Sequence, residues 1–235
     1  MLICKWEELP ESMRTPEIRK YHDVLKEKRF SLLCKRLFDL VVSIVFLIIL
    51  SPLFLVLAIA IKLDSPGPVF YRQTRVTQYG KLFKIHKFRS MVNNADQKGA
   101  LVTVAADVRV TRVGKFIRKY RLDEISQLLD VLSGTMTFVG TRPEVSKYVE
   151  QYTEEMLATL LLPAGITSLA SIYYKDEAEL LNEAENPDKV YVEKVLPEKM
   201  KWNLAALEDF SFFSDIKVMF MTFFAVLGKE YKGEH

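Results

Sequence analysis

Two adjacent carboxylates, Asp123 and Glu124, follow a strongly basic segment and begin an apolar-periodic one. Acidic residues at this position cap a helix and complement its dipole. Packed among cations, the same pair describes an anion site. An ionised carboxylate can attack phosphorus without a general base, and cations or Mg²⁺ stabilise charge on phosphate oxygens. Mg²⁺ takes one or two protein carboxylates plus substrate phosphates, so the pair suffices for one nucleophile and one ligand. The sequence leaves the structural and the chemical interpretation open.

The basic segment makes the chemical interpretation worth following. From Val108 to Leu122 the chain has six cations and no acidic residue: Arg109, Arg112, Lys115, Arg118, Lys119 and Arg121. Such a cluster forms either a salt-bridge network or a phosphate site.

A second motif, Gly140-Thr141-Arg142-Pro143-Glu144, has the same double character. Thr141 and Glu144 have capping-box spacing, with Pro143 in the first turn, which predicts a helix over Thr141–Leu162. The N–H groups of that first turn and the fork of Arg142 would also suit a phosphate.

Lys87 lies in the segment Lys87-Phe88-Arg89-Ser90-Met91, within a basic stretch that has no acidic residue between Ser65 and Ala95. Its ammonium group could contact anionic lipid head groups or enter a diphosphate site. Spacing does not separate the two.

The strongest compositional feature is the charge-free run of 22 residues from Leu40 to Ile61. As a helix it is long enough to cross a hydrocarbon core of roughly 30 Å. Pro52 has no N–H for the Ile48 carbonyl and would kink or break the helix, while Ser51 can hydrogen-bond to the freed backbone. Cations at both ends of the run favour a re-entrant helix with both ends cytoplasmic. A single span and a re-entrant helix both remain open.

The remaining elements predict a helix-rich α/β unit with a small β-hairpin. We divide the chain into a lead-in over 1–36, a membrane helix over 37–63 and a membrane-associated catalytic domain over 64–235. A hairpin is expected at Val69–Val76 and Lys81–Phe88, and helices at Thr111–Tyr120, Asp123–Leu132, Thr141–Leu162 and within 176–208. Phe210–Leu227 is either an interfacial amphipathic helix or a core helix.

Composition excludes several classes of function. The 235 residues carry a formal net charge of only +3, which does not indicate a nucleic-acid partner. Two cysteines and three histidines without ligand spacing indicate neither a disulfide framework nor a zinc site.

The order of these motifs resembles the bacterial sugar transferase family, the monotopic phosphoglycosyl transferases. The resemblance covers roughly residues 31–228 and rests on an ordered set: Lys35-Arg36-Leu37-Phe38-Asp39, Ser51-Pro52, Lys87–Met91, Leu122-Asp123-Glu124, Gly140–Pro143, Gly165-Ile166-Thr167 and Asp215-Ile216-Lys217. Each motif is weak alone, and the ordered set is specific.

The resemblance implies transfer of a sugar-1-phosphate from a UDP-sugar to a polyprenol phosphate at the cytoplasmic face of the bacterial inner membrane, with release of UMP. By similarity, Asp123 is the nucleophile of a ping-pong reaction and Glu124 helps to hold Mg²⁺. Lys87, Arg118, Arg142 and Pro143 match phosphate- or nucleotide-binding positions. It further implies a membrane helix broken at Ser51-Pro52, cytoplasmic termini and membrane lipid as a partner, and leaves a homodimer open.

The chain departs from the family pattern at Thr141, where Pro is frequent, and at Leu162–Ser168, where an arginine is absent and one residue is inserted. Thr77 and Asp130 stand where Gly and Asn are frequent. These departures predict altered specificity rather than lost activity. The competing interpretations are a non-catalytic membrane-anchored interaction protein with a basic face, and a glycosyl transferase that would release UDP. For the last the chain has no Rossmann-type fingerprint.

Overall fold

The computed structural model describes residues 3–93, 109–174, 181, 186–229 and 231. Its α-helices are α1 (Pro16–Glu27), α2 (Arg29–Asp64), α3 (Arg112–Lys119), α4 (Leu128–Ser133), α5 (Ser146–Val149), α6 (Leu169–Tyr173), α7 (Pro187–Val190), α8 (Leu196–Glu208) and α9 (Phe212–Val226). The strands are β1 (Phe70–Val76), β2 (Leu82–Phe88), β3 (Met136–Val139) and β4 (Ala164–Thr167). Short 3₁₀ helices occupy Trp6–Glu8, Glu11–Met13, Gln78–Gly80, Ile125–Gln127 and Met156–Leu161, and a π-helical turn covers Tyr191–Val195. The architecture is helix-rich with small sheets, as predicted.

The long helix α2 contains the apolar run and extends beyond it at both ends. Its 36 residues, about 54 Å at 1.5 Å each, are the one helix in the described ranges that is long and apolar enough to cross a membrane. Ser51 Oγ donates to the carbonyl oxygen of Ile48 at 2.8 Å, which is the acceptor that Pro52 leaves without its usual partner. The predicted compensation by Ser51 is therefore confirmed. The middle of α2 is apolar and exposed, with Ile48 at 68%.

The N-terminal half of α2 is docked to the rest of the chain by buried charges. Lys35 donates to the carbonyl oxygen of Val139 at 2.7 Å and pairs with Asp215 of α9 at 2.5 Å. Asp39, 1% exposed, accepts hydrogen bonds from the Thr137 hydroxyl and the Phe138 N–H of β3. The charges of the Lys35–Asp39 motif therefore hold the helix to β3 and α9, which is a structural role that hydropathy could not reveal.

The C-terminal half of α2 is docked by Arg89. This side chain is 5% exposed and donates to the carbonyl oxygens of Ile61, Ser65 and Pro66. It thus satisfies acceptors that a helix end leaves free. Arg89 is a buried helix cap and not the exposed basic flank that the sequence suggested. The Asp64 carboxylate accepts a further hydrogen bond from the N–H of Val113 at the start of α3.

The predicted hairpin is confirmed, since β1 and β2 pair antiparallel from Phe70 opposite Phe88 to Val76 opposite Leu82. A second sheet of β3 and β4 is parallel and was not predicted. Its two strands are only four residues long, and a Cβ on Gly165 would lie 2.2 Å from backbone atoms of Gly140. This close approach explains glycine at both positions.

The predicted helix over Thr141–Leu162 is wrong. Residues 141–145 are not helical, a short helix covers Ser146–Val149, and Met156–Leu161 is 3₁₀. The Thr141 carbonyl accepts the N–H of Gly165, and the Glu144 carbonyl accepts the N–H of Val76. The capping-box interpretation fails because this backbone bridges the two sheets.

Two flanking regions complete the fold. Residues 3–28 pack through Leu9, Met13, Ile18, Tyr21 and Leu25 on the Met156–Leu161 helix and on Leu207 and Phe210. Helix α9 packs Val218 into the core that includes β3 and β4, while Phe213, Phe220 and Phe223 are exposed. Of the predicted helical stretch 176–208, positions 176–180 and 182–185 lie outside the described residues.

Candidate active site

The Asp123-Glu124 pair sits on a turn that the end of α3 fixes. The Leu122 N–H donates to the Ile117 carbonyl at 2.8 Å and the Arg121 N–H to the Arg118 carbonyl at 3.1 Å, which is a Schellman motif. Arg121 has φ 53°, at the position where glycine is usual. Leu122 and Ile117 then pack in the same apolar cluster, so the next two side chains emerge from a defined turn.

Asp123 does not cap a helix, so that interpretation of the pair is wrong. The next helical turn begins at Ile125, and its preceding residue, Glu124, forms no capping hydrogen bond. Instead, the turn is joined to strand β2. The Phe88 N–H donates to the Asp123 carbonyl at 3.0 Å, and Ser126 Oγ donates to the His86 carbonyl at 3.0 Å. Because Lys87 lies between these two bonds, its side chain is positioned beside the carboxylates.

Glu124 is held by two cations. Lys87 Nζ lies 3.3 Å from Glu124 Oε1, and Arg142 approaches the same carboxylate through both of its terminal nitrogens. Burial raises the pKa of Glu124, but the charges and hydrogen bonds of Arg142 and Lys87 outweigh it and lower that pKa to about 2. Glu124 is therefore ionised at any physiological pH. Lys87 faces this cluster and not a lipid head group.

Asp123 has the opposite environment. Within the described ranges, no Lys, Arg or His forms a salt bridge with its carboxylate. Burial and the adjacent Glu124 charge raise its pKa above 3.8, while Lys87 and Arg118 oppose that shift. Arg118 is half-buried on α3. Asp123 is thus a carboxylate next to cations but not neutralised by contact, which suits a nucleophile.

The loop that carries Arg142 is held by Arg75 of β1. Arg75 Nη1 donates to the Pro143 carbonyl oxygen at 3.1 Å and lies 3.9 Å from Glu144 Oε2. Both arginines and Lys87 line a small cavity beside Pro143. Arg75 was not among the site residues expected from the sequence. Its place on β1, paired across the hairpin from Phe83, was the available signal.

Most predicted site residues therefore converge. Lys87, Arg142 and Pro143 line one cavity, Lys87 and Arg142 also contact Glu124, and the charge of Arg118 acts on Asp123. Ser51 and Pro52 are exposed on α2 and belong to the membrane element instead.

The carboxylates of Asp123 and Glu124 are the candidate ligands for Mg²⁺. Among the residues that the structure describes, no group of three or more His, Cys, Asp or Glu side chains could hold a metal. Two adjacent carboxylates do fit a Mg²⁺ whose other ligands are phosphate oxygens and water. The arrangement therefore suits a metal that binds together with a phosphorylated substrate.

Comparison with known proteins gives the family that this chain resembles. The family model described as bacterial sugar transferase matches residues 30–229. The UDP-N-acetylgalactosamine-undecaprenyl-phosphate N-acetylgalactosaminephosphotransferase of Aeromonas hydrophila is 35% identical over 173 residues, which are 72% of this chain and 38% of the relative. The UDP-glucose:undecaprenyl-phosphate glucose-1-phosphate transferase of Escherichia coli (strain K12) is 36% identical over 172 residues, 72% of this chain and 34% of the relative.

A relative of similar length is also found. The uncharacterized sugar transferase EpsL of Bacillus subtilis (strain 168) is 34% identical over 170 residues, 72% of this chain and 75% of the relative. Against the Aeromonas and Escherichia proteins, by contrast, the chain spans little more than a third of their length.

Proposed function

The chain belongs to the bacterial sugar transferase family, and on that premise we propose that it transfers a sugar-1-phosphate from a UDP-sugar to a polyprenol phosphate and releases UMP. The Aeromonas and Escherichia relatives are named as undecaprenyl-phosphate sugar-phosphate transferases. The observation that carries the proposal is the contrast within the pair: Glu124 is neutralised by Arg142 and Lys87, while Asp123 is not.

In the first step, an Asp123 carboxylate oxygen attacks the β-phosphorus of the donor. An O–P bond forms to Asp123, the P–O bond to the α-phosphate breaks, and UMP leaves with the electron pair. The phosphosugar is then bound to Asp123 as an acyl phosphate. Because the carboxylate is ionised, no general base is required.

Fixed cations stabilise the charge that this step spreads over phosphate oxygens. The charge of Arg118 acts on Asp123, while Arg142 and Lys87 contact the adjacent carboxylate, Glu124. When bound, Mg²⁺ would be held by Glu124 and would add a positive charge on the substrate phosphates. The buried Glu124 keeps Arg142 and Lys87 oriented before substrate arrives, which lowers the reorganisation that the step requires.

In the second step, a phosphate oxygen of the polyprenol phosphate attacks the same phosphorus. The bond to Asp123 breaks and regenerates the carboxylate, and the product is a polyprenol diphosphate sugar. The acceptor would come from the bilayer along α2. In support, Leu122 and Ile125, which flank the carboxylate pair, pack in one cluster with Leu57 and Ile61 of α2.

We further propose that α2 enters the cytoplasmic leaflet and returns. The helix is docked at both ends to the same compact unit, through Asp39 on β3 and through Arg89 near α3. A spanning helix would place these ends on opposite sides of a core of about 30 Å. The exposed phenylalanines of α9 would lie in the same interface.

Nucleotide release tests the proposed reaction. The purified full-length chain is mixed with Mg²⁺, undecaprenyl phosphate and each of a panel of UDP-sugars, and UMP and UDP are quantified separately. We expect UMP from at least one donor and none above background from Asp123→Asn. Release of UDP would show direct glycosyl transfer. Silence of the folded protein across the panel would favour a non-catalytic interaction protein.

A further inference from the structure

A cavity of about 200 Å³ adjoins the site on the side of β1, α5 and α8. Arg142 and Arg75, which contact the Glu124 carboxylate and the Pro143 carbonyl respectively, form one wall of it. Tyr148, Tyr191, Glu144 and Lys199 form the far wall. The cavity is therefore continuous with the cationic cluster, and the far wall contains side chains that the reaction described above does not use.

The far wall is both aromatic and polar. The rings of Tyr148 and Tyr191 lie 4.5 Å apart between centroids. The Tyr191 hydroxyl donates to Glu144, and Lys199 Nζ lies 3.3 Å from that hydroxyl and 3.8 Å from Glu144 Oε1. These groups are almost fully buried, which holds them in place. Aromatic faces beside a few fixed donors and acceptors are the composition of a pocket that binds a polar ring.

The position of the cavity selects which end of the donor it would receive. In an in-line displacement the leaving group departs opposite the nucleophile. Here Arg142 pairs with Glu124 on one side and lines the cavity on the other, so the cations lie between the carboxylate pair and the far wall. The far wall belongs to a core built from residues 145–200, whereas the residues around Asp123 pack on α2.

We propose that this cavity binds the nucleoside of the donor, a proposal that rests on the function proposed above. The diphosphate would lie across Arg142 and Arg75, and the uridine would lie against Tyr148 and Tyr191, with Glu144 and Lys199 as hydrogen-bonding partners. UMP then leaves toward the α8 side, while the phosphosugar stays on Asp123, next to α2. The departing nucleotide and the incoming lipid thus use different sides of the site.

Direct binding of UMP to the full-length protein in nanodiscs tests this proposal without turnover. We expect Lys199→Met to weaken UMP binding in calorimetry by roughly 10-fold, because it removes a hydrogen bond from a charged donor to the nucleoside. Tyr191→Phe should weaken binding by a similar factor, because the Tyr191 hydroxyl contacts both Glu144 and Lys199 and holds these two partners in place. Lys201→Met is the matched control, because Lys201 lies on the same helix but is exposed and paired with Glu198. It should bind UMP as the unmodified protein does.

Three results would overturn the proposal. One is UMP affinity in both variants equal to that of Lys201→Met. Another is unchanged UMP affinity with an altered ratio of turnover between UDP-sugars, which would assign the cavity to the sugar. The last comes from labelling the unmodified protein with a photoreactive UMP: attachment must fall on the far-wall residues, and attachment confined to other segments would contradict the proposal even if a variant failed to fold.

The test separates this proposal from the proposed function. If the unmodified chain binds UMP at the cavity but releases none from any UDP-sugar, the proposed reaction is wrong and the proposed nucleoside site is supported. If UMP is released but binding is indifferent to Lys199 and Tyr191, the reaction stands and the subsite fails.

Discussion

At the scale of single residues, two neighbours of nearly identical chemistry have opposite environments. Asp123 and Glu124 differ by one methylene, yet the pKa of Glu124 is lowered to about 2 and that of Asp123 is raised. Arg142 and Lys87 contact Glu124 and lower its pKa, whereas burial and the adjacent Glu124 charge raise the pKa of Asp123. The sequence could nominate the pair and the basic residues near it. The sequence could not show which of the two adjacent carboxylates each cation contacts, because those contacts depend on the positions of β2 and of the loop at Arg142.

This contrast predicts the acid side of the pH profile. Asp123 must be ionised to attack, and its pKa is raised, so kcat/KM for UMP release should fall at a pH above the ordinary aspartate value of about 3.9. Arg118→Gln removes a positive charge that stabilises ionised Asp123, so the acid limb should move to higher pH. Glu124→Gln removes a negative charge, so the limb should move to lower pH in whatever activity is left.

The control for these variants is Lys115→Gln, an exposed residue of the same helix as Arg118. Its acid limb should stay in place. A limb that moves in the same direction in Arg118→Gln and Glu124→Gln would show that the titrating group is not Asp123.

At the scale of elements, the sequence patterns correctly predicted those elements that local interactions stabilise. The hairpin and α3 follow from alternation, from the Thr111 cap, which accepts from the Gly114 N–H, and from the amphipathic spacing of α3. The predicted helix over Thr141–Leu162 does not form, because the backbone carbonyls of Thr141 and Glu144 accept hydrogen bonds from distant strands. The β3–β4 sheet was missed because four-residue strands carry little periodicity. Lys35, Arg36 and Arg89 resembled a membrane flank, but Arg36 satisfies the Val131 and Leu132 carbonyls of α4.

The joined strands predict a cost at Gly165. A Cβ there would lie 2.2 Å from backbone atoms of Gly140, and neither side can move without disturbing the Arg142 loop. Gly165→Ala should lower the free energy of unfolding by about 2 kcal/mol or more and raise the KM for the donor. Chemical denaturation and donor saturation curves measure the two effects.

Gly80→Asn provides the comparison for that substitution. Gly80 has φ 73° with no atom within 4 Å of its Cβ position, and asparagine tolerates this conformation. Stability and KM in Gly80→Asn should therefore change little. Equal losses in both variants would mean that the close approach of Gly140 and Gly165 does not position Arg142.

At the scale of the whole molecule, the exposed apolar residues of α2 and α9 and the polar site around Asp123 belong to the same unit. The middle of α2 and the phenylalanines of α9 are exposed, while the buried Lys35–Asp215 pair joins the two helices. The hydropathy of the sequence located the one helix in the described ranges that is long and apolar enough to cross a membrane. Whether both ends of α2 face the same side could not be read from hydropathy, because it depends on Asp39 and Arg89, which contact residues far away in the chain.

The proposed topology predicts the effect of replacing Pro52, which lies inside the continuous helix α2. Pro52→Ala restores an N–H for the Ile48 carbonyl, which should favour a straight span and move the N-terminus across the membrane in part of the population. A reporter fused at residue 1 measures this. Adding Asp39→Asn, which weakens the docking at β3, should increase the translocated fraction. A reporter that stays cytoplasmic in both variants would show that Pro52 does not decide the topology.

If Asp123 carries the phosphosugar, intact-protein mass spectrometry should detect the covalent intermediate. The protein is incubated with Mg²⁺ and the UDP-sugar that supports UMP release, without polyprenol phosphate, and the reaction is then quenched. We expect a mass increase equal to one sugar phosphate, located on Asp123 by peptide mapping, and its loss when undecaprenyl phosphate is added. Turnover to UMP with no adduct, or an adduct on another residue that persists in Asp123→Asn, would contradict it.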